Sequence, residues 1–147
     1  FCKYMIALRK RHPIIRGRLE PARCGFPDMS IHNVYPWNDA TNGDTRTIGI
    51  LFAGYNNESK KDDVVFIGMN MYWEPVTIEL PVCPENNKWI LEADTSVHYP
   101  YDKPKMDEVF TLVNKNGYAN KIITDNKICL DARSIVVISM SPVKKGK

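Results

Sequence analysis

No apolar run in this 147-residue chain extends beyond a few residues. A membrane-spanning helix needs about 20 apolar residues in succession, so no such span is expected. No secretory leader is expected either, because Phe1-Cys2-Lys3-Tyr4-Met5 opens directly into an amphipathic pattern. The lack of an initiator methionine suggests a fragment, with processing of the first residue as the alternative. Charge of one sign is scarce. The formal net charge is +3, and much of the excess sits in "RKRHPIIRGR" near the start and "KKGK" at the end. Apart from His12, the first of these stretches carries no aromatic ring. The interleaving of basic and aromatic side chains that marks a nucleic-acid face is therefore absent.

Cysteine is sparse too. Cys2, Cys24, Cys83 and Cys129 are scattered with no CxxC or Cys/His spacing, so no metal site is expected. They read as free thiols of a reducing, cytoplasmic compartment, with two disulfides as the alternative. "NES" at Asn57 is a glycosylation sequon that matters only in a secreted eukaryotic protein. His12, His32 and His98 have no motif partner. GxSxG, HExxH and a glycine-rich phosphate loop are all missing. A glycosidase needs two carboxylates about 5 to 10 Å apart across one sugar bond. Here most of the candidates (Asp39, Asp44, Asp62, Asp63, Asp102, Asp107) fall in turns, and Glu79 alternates outward. No catalytic residue and no cofactor is assigned.

What the chain does have is periodicity. "FCKYMIALRKRHP" spaces Phe1, Tyr4, Met5 and Leu8 as one helical stripe. Arg9, Lys10 and Arg11 oppose the helix dipole in the last turn, and Pro13 ends the helix by excluding His12 from helical backbone. The stripe calls for a partner. After it the period becomes two. Strands are expected at "MSIHNVY", "TRTIGILFA", "DVVFIGMNMYW", "PVTIELP", "KWILEAD", "KIIT", "KICLDA" and "SIVVISM". "DVVFIGMNMYW" is apolar on both faces, as a doubly covered strand would be. Val76, Ile78 and Leu80 read as inward against Thr77 and Glu79. Trp89, Leu91 and Ala93 read as one face, and Asp125-Asn126 as a tight hairpin turn. Short strands at this spacing indicate an antiparallel β-sandwich with one short N-terminal helix. Tyr35, Trp37, Tyr99 and Tyr101 are the rings placed to stack on a sugar, with Trp37 the foremost because it follows a proline in a polar loop. Trp73 and Trp89 read as core or seam.

The pieces have an informative order. "YMIALRKRHPIIR" resembles the last barrel helix of bacterial glycogen debranching enzymes and isoamylases of the α-amylase superfamily, where "LIxLRxxHP" leads into a C-terminal β-domain. "SIHNVYPWND" is similar to the family's "WHGxxPxxPDW", with Ile31 where Trp is usual. "TRTIGILFAG" resembles "SRxLAFxLxG", and "DVVFIGMNMYWEPVTIELP" resembles "DIYVxxNxxWEPxxFELP". "WILEADTS" is similar to "WxxxxDTS", and "ARSIVVISM" to the closing strand "xRSxVVLxx". Six segments match in order, whereas Val97 to Lys121 matches poorly.

The resemblance implies a parent that hydrolyses α-1,6 branch points in glycogen or starch with barrel carboxylates upstream of Phe1. None of those carboxylates carries over to this chain. It further implies that residues 1–13 end the last barrel helix, and that residues 14–147 form a non-catalytic β-sandwich packed on the (β/α)₈ barrel of the same chain. Phe1, Tyr4, Met5, Leu8, Asn70, Tyr72 and Trp73 are expected at the seam. The alternative is an autonomous carbohydrate-binding module for α-glucans. A protein-interaction sandwich unrelated to sugars is the third reading.

Overall fold

The computed structural model describes residues 2–38, 46–96 and 121–143. Helix α1 spans Cys2–Arg11 and closes on the cationic turn Arg9-Lys10-Arg11. His12, at φ −116°, leaves helical backbone ahead of Pro13, and Pro13–Ile15 forms a single 3-10 turn. Among the described residues eight strands follow: β1 Met29–His32, β2 Thr47–Asn56, β3 Lys61–Asn70, β4 Val76–Glu79, β5 Asn87–Asp94, β6 Lys121–Ile122, β7 Lys127–Leu130 and β8 Ser134–Pro142. All ladders are antiparallel. Six strands form one sheet in the order β1-β2-β3-β8-β5-β6, and β4 pairs with β7 in a small second sheet.

The result is the expected all-β, sandwich-like fold with one short helix. The two sheets enclose a core of Leu51, Val64, Phe66, Ile78, Leu80, Trp89, Leu91, Leu130, Val136 and Ile138. Val76 packs against this core, while Thr77 points to solvent. The paired Gly49 and Gly68 of β2 and β3 keep this space open for Phe66 and Ile78. A Cβ on Gly49 would run into the Phe66 ring, so a side chain there would force the ring to shift. Trp89 is fully buried and donates its indole N–H to the Pro81 carbonyl at 2.9 Å. That bond satisfies the one polar atom of a ring that otherwise fills the core.

The other face of the large sheet carries a second cluster. Leu8 and Ile14 pack on Val65 and Val137, flanked by Tyr4, Met5, Phe52, Ile67 and Ala93. Strand β3 is thus apolar on both faces for the reason its sequence suggested. Leu8, however, is only 2% exposed. The centre of the helical stripe is spent on the chain's own sheet, which corrects the expectation that Leu8 lies open at a seam with a missing barrel.

Four local expectations also change. Strand β1 ends at His32, short of Tyr35. Strand β3 ends at Asn70 instead of running on to Trp73, because the Asn70 carboxamide captures the chain as it turns. It donates to the Glu74 and Asp131 carbonyls at 2.8 and 3.0 Å and accepts from the Tyr72 N–H at 3.0 Å. Asp125 and Asn126 both adopt positive φ, as a tight turn demands. Yet the strands they join part company, with β6 pairing β5 and β7 pairing β4. Finally, a bulge between Leu91 and Ala93 inserts Glu92 into β5. Past an extra residue the alternation changes phase, so Ala93 joins the helix-side cluster and not the face of Trp89 and Leu91.

Candidate functional site

Directly paired residues in a sheet project to the same side, so the register shows what faces α1. One row holds Met29, Phe52, Val65 and Ser139. The next holds Ile31, Ile50, Ile67 and Val137. A third holds Ile48, Met69 and Ile135. Helix α1 and the 3-10 turn cover the Phe52, Val65 and Val137 region. Among the described residues nothing covers the rest to the same degree. Ile31 is 42% exposed and Ile135 41%, Met29 and Met71 are exposed, and Ile48, Ile50 and Met69 are half-buried outside both core clusters. An aliphatic sheet face with one half under a helix and the other half only partly covered among the described residues is the sort of contiguous patch that a partner surface covers.

An aromatic corner borders the partly covered half. Trp73 is 64% exposed and leans on Tyr72, with ring centroids 4.3 Å apart at 33°. The Arg46 guanidinium lies 4.5 Å from the Tyr72 ring and 5.8 Å from that of Trp73. Backbone bonds pin the corner: Met71 N–H to the Arg46 carbonyl, and Arg133 N–H to the Tyr72 carbonyl, both 2.9 Å. Met, Trp, Tyr and Arg are the residues enriched in protein interfaces and their energetic centres.

Between α1 and the sheet lies a polar cluster that sequence reading missed. His12 Nδ1 is 2.6 Å from Asp63 Oδ1, and Asp63 Oδ2 accepts the Ile14 N–H at 3.0 Å. Glu92, turned to this side at the bulge, accepts from Tyr4 Oη at 2.8 Å, Arg11 at 3.1 Å and Ser139 Oγ at 2.7 Å. Its other oxygen contact is an ion pair to His12 Nε2 at 3.8 Å. Burial opposes the charge on His12, but hydrogen bonding to Asp63 and Glu92 and the fields of both carboxylates outweigh it. The pKa is pushed up to about 9. Burial likewise opposes the Glu92 charge, and the contacts to His12, Ser139, Tyr4 and Arg11 hold its pKa down to about 2. Burial first, then the Glu92 carboxylate, pushes Tyr4 up to about 12.

Asp63 and Glu92 are two buried carboxylates that both contact His12. They are 8% and 7% exposed and already hold His12 between them, so their arrangement fastens the helix to the sheet and offers no surface for a sugar to enter. Two hints lay in the sequence: a His immediately before the helix-ending Pro13, and a Glu between Leu91 and Ala93 in β5. Neither names its partners, which lie 47 to 88 residues away.

The remaining candidates fall as follows. Tyr35 and Trp37 are exposed on the loop after β1. Of the seam residues, Tyr4 and Met5 are half-buried beneath α1, and Asn70 is buried and holds the turn together. Tyr72 and Trp73 reach the open corner. Phe1, Tyr99 and Tyr101 lie outside the described residues. All four cysteines are free. Burial raises the Cys24 thiol pKa, and burial together with nearby Cys24 raises that of Cys83 to about 11, so both are poor nucleophiles. Among the described residues no group of His, Cys, Asp and Glu converges to hold a metal ion, and no helix is long and apolar enough to cross a membrane. No protein-family model and no curated protein sequence matches this chain.

Proposed function

We propose that this chain is the non-catalytic C-terminal accessory domain of a cytoplasmic glycogen- or starch-debranching glycoside hydrolase, and that it docks on the catalytic barrel of its parent. The observation that carries the reading is the half-covered Ile/Met face beside α1, ending at the Tyr72–Trp73–Arg46 corner. A domain that works alone has reason to bury such a face, whereas a domain that supports a neighbour has reason to present it. The ordered resemblance of six segments to the debranching enzymes supplies the neighbour's identity. The seam then runs along Ile31, Ile50, Ile48, Met69, Ile135 and the Trp73 corner, with α1 inside the β-domain's own packing.

The direct test is made in the parent enzyme. Ile50→Glu and Ile135→Glu should lower its thermal stability while leaving the melting temperature of the isolated chain nearly unchanged. Equal losses in both settings would mean that these residues serve the internal core, and the docking reading would fall.

A further inference from the structure

The loop Asn33–Asn38 is held by four hydrogen bonds to its backbone. Asn33 N–H donates to the Asn38 carbonyl at 3.0 Å, and Tyr35 N–H to Asn33 Oδ1 at 2.8 Å. Glu79 N–H donates to the Val34 carbonyl at 2.9 Å, and Trp37 N–H to His32 Nδ1 at 2.7 Å. The last bond fixes a tautomer. His32 is fully buried, and burial lowers its pKa. With Nδ1 accepting, Nε2 carries the proton and donates to Ser30 Oγ at 2.8 Å. A neutral, immobile imidazole thus anchors Trp37.

Trp37 sits at φ +67°, a left-handed backbone that bulky side chains rarely adopt. One part of its ring packs on His32 at 5.0 Å and on Phe26 at 5.7 Å, and Phe26 in turn stacks on Trp89. The ring nevertheless remains 51% exposed, and Tyr35, two residues earlier across Pro36, is 55% exposed. Capping the core accounts for the buried part of Trp37. It does not account for a strained backbone that leaves half of the indole in water, nor for a second ring held outside. Strained, over-determined positions gather at ligand sites, and a ring fixed before binding, as Trp37 is by Phe26 and His32, loses little freedom on contact.

The surroundings indicate the ligand's chemistry. Glu79, placed beside the loop by its bond to Val34, pairs with Lys127 at 2.7 Å, and both side chains are partly exposed. This pair offers acceptor and donor together, and its two charges offset each other. An apolar flat surface beside this donor–acceptor pair suits a molecule with an aliphatic ring face and peripheral hydroxyls.

We propose that Tyr35 and Trp37 form a preformed stacking platform for a neutral oligosaccharide, with Glu79 and Lys127 bonding its hydroxyls. The inference stands apart from the docking face and takes from the debranching reading only its first probe.

The test titrates the labelled chain with maltoheptaose and, separately, cellohexaose, following the indole N–H signals of Trp37, Trp73 and Trp89. A saturable shift of Trp37, with Trp73 and Trp89 unmoved, is expected. Trp37→Ala should weaken binding about tenfold, at the upper end of a single stacking contact. Because Trp37 also packs on Phe26 and His32, Tyr35→Ala and Lys127→Ala provide a second measure. Each should weaken binding without shifting the melting temperature. No saturable shift with either sugar, a response centred on Trp73, or affinity unchanged in both Tyr35→Ala and Lys127→Ala would overturn the platform. A response to cellohexaose alone would support the platform and count against the α-glucan parent, while leaving the docking face to its own test.

Discussion

At the scale of single residues, His12 and Glu92 set a pH dependence. His12 is raised from 6.5 to about 9, so its contribution to stability is complete below 6.5 and is lost as pH rises through 9. Glu92 is lowered from 4.5 to about 2, so its contribution is complete above 4.5 and is lost as pH falls through 2. Both contributions are whole only between 4.5 and 6.5. Urea unfolding should show stability falling from pH 6.5 to 9, and His12→Gln should flatten that slope. A variant with the wild-type slope would mean that His12 does not carry it. Trp89 gives a second prediction. Fully buried and hydrogen-bonded, its replacement by Ala should cost about 3 to 5 kcal/mol by denaturant titration. Half-exposed Trp37 should cost clearly less, and equal losses would contradict the two placements.

At the scale of elements, α1 decides more than its length suggests. The stripe Tyr4-Met5-Leu8 was legible at helical spacing, and so was the helix stop at Pro13. The stripe's partner was not legible, since a periodic pattern specifies a face and leaves open what covers it. With Leu8 buried against Val65 and Val137, Leu8→Asp should destabilise the chain by on the order of 3 kcal/mol or more, by lost burial and an unpaired charge. Native-like melting of that variant would show that α1 is dispensable to the β-domain. The bulge in β5 is a comparable case. Alternation placed Trp89 and Leu91 correctly on one face and failed at Ala93, because one inserted residue moves every later side chain to the opposite side. The same insertion leaves Glu92 unpaired in the ladder and available to His12, Tyr4 and Ser139.

At the scale of the whole molecule, a partly covered aliphatic half-face should make the isolated chain associate. Sedimentation of the wild type should show a concentration-dependent rise in mass that Ile31→Glu with Ile135→Glu abolishes, since exposed apolar patches of this kind favour association. A monomer throughout the range would show that the face needs no cover. The isolated chain should also leave pullulan and glycogen intact. Retaining hydrolysis requires two carboxylates about 5 to 5.5 Å apart around a gripped sugar, and the buried acids Asp63 and Glu92 are closed around His12. Reducing ends should stay at buffer background. Turnover that survives repurification and disappears on changing one Asp or Glu of this chain would refute the non-catalytic reading.

The sequence by itself determined where the chain extends and where it turns. Period-two alternation, the flanking prolines of β4 and the positive-φ pair Asp125-Asn126 act within a few residues, and local sterics suffice to read them. It also determined that β3 is apolar on both faces, which already required layers on either side. Only the tertiary structure decided which layers these are. Whether Leu8 meets its own sheet, whether β6 and β7 pair with each other, and which partners His12 finds depend on residues distant along the chain, such as Tyr4 and Glu92, 88 positions apart. Nothing in a local period carries that information, because the free energy of such contacts is realised only when the sheet has closed and water has left the space between its layers.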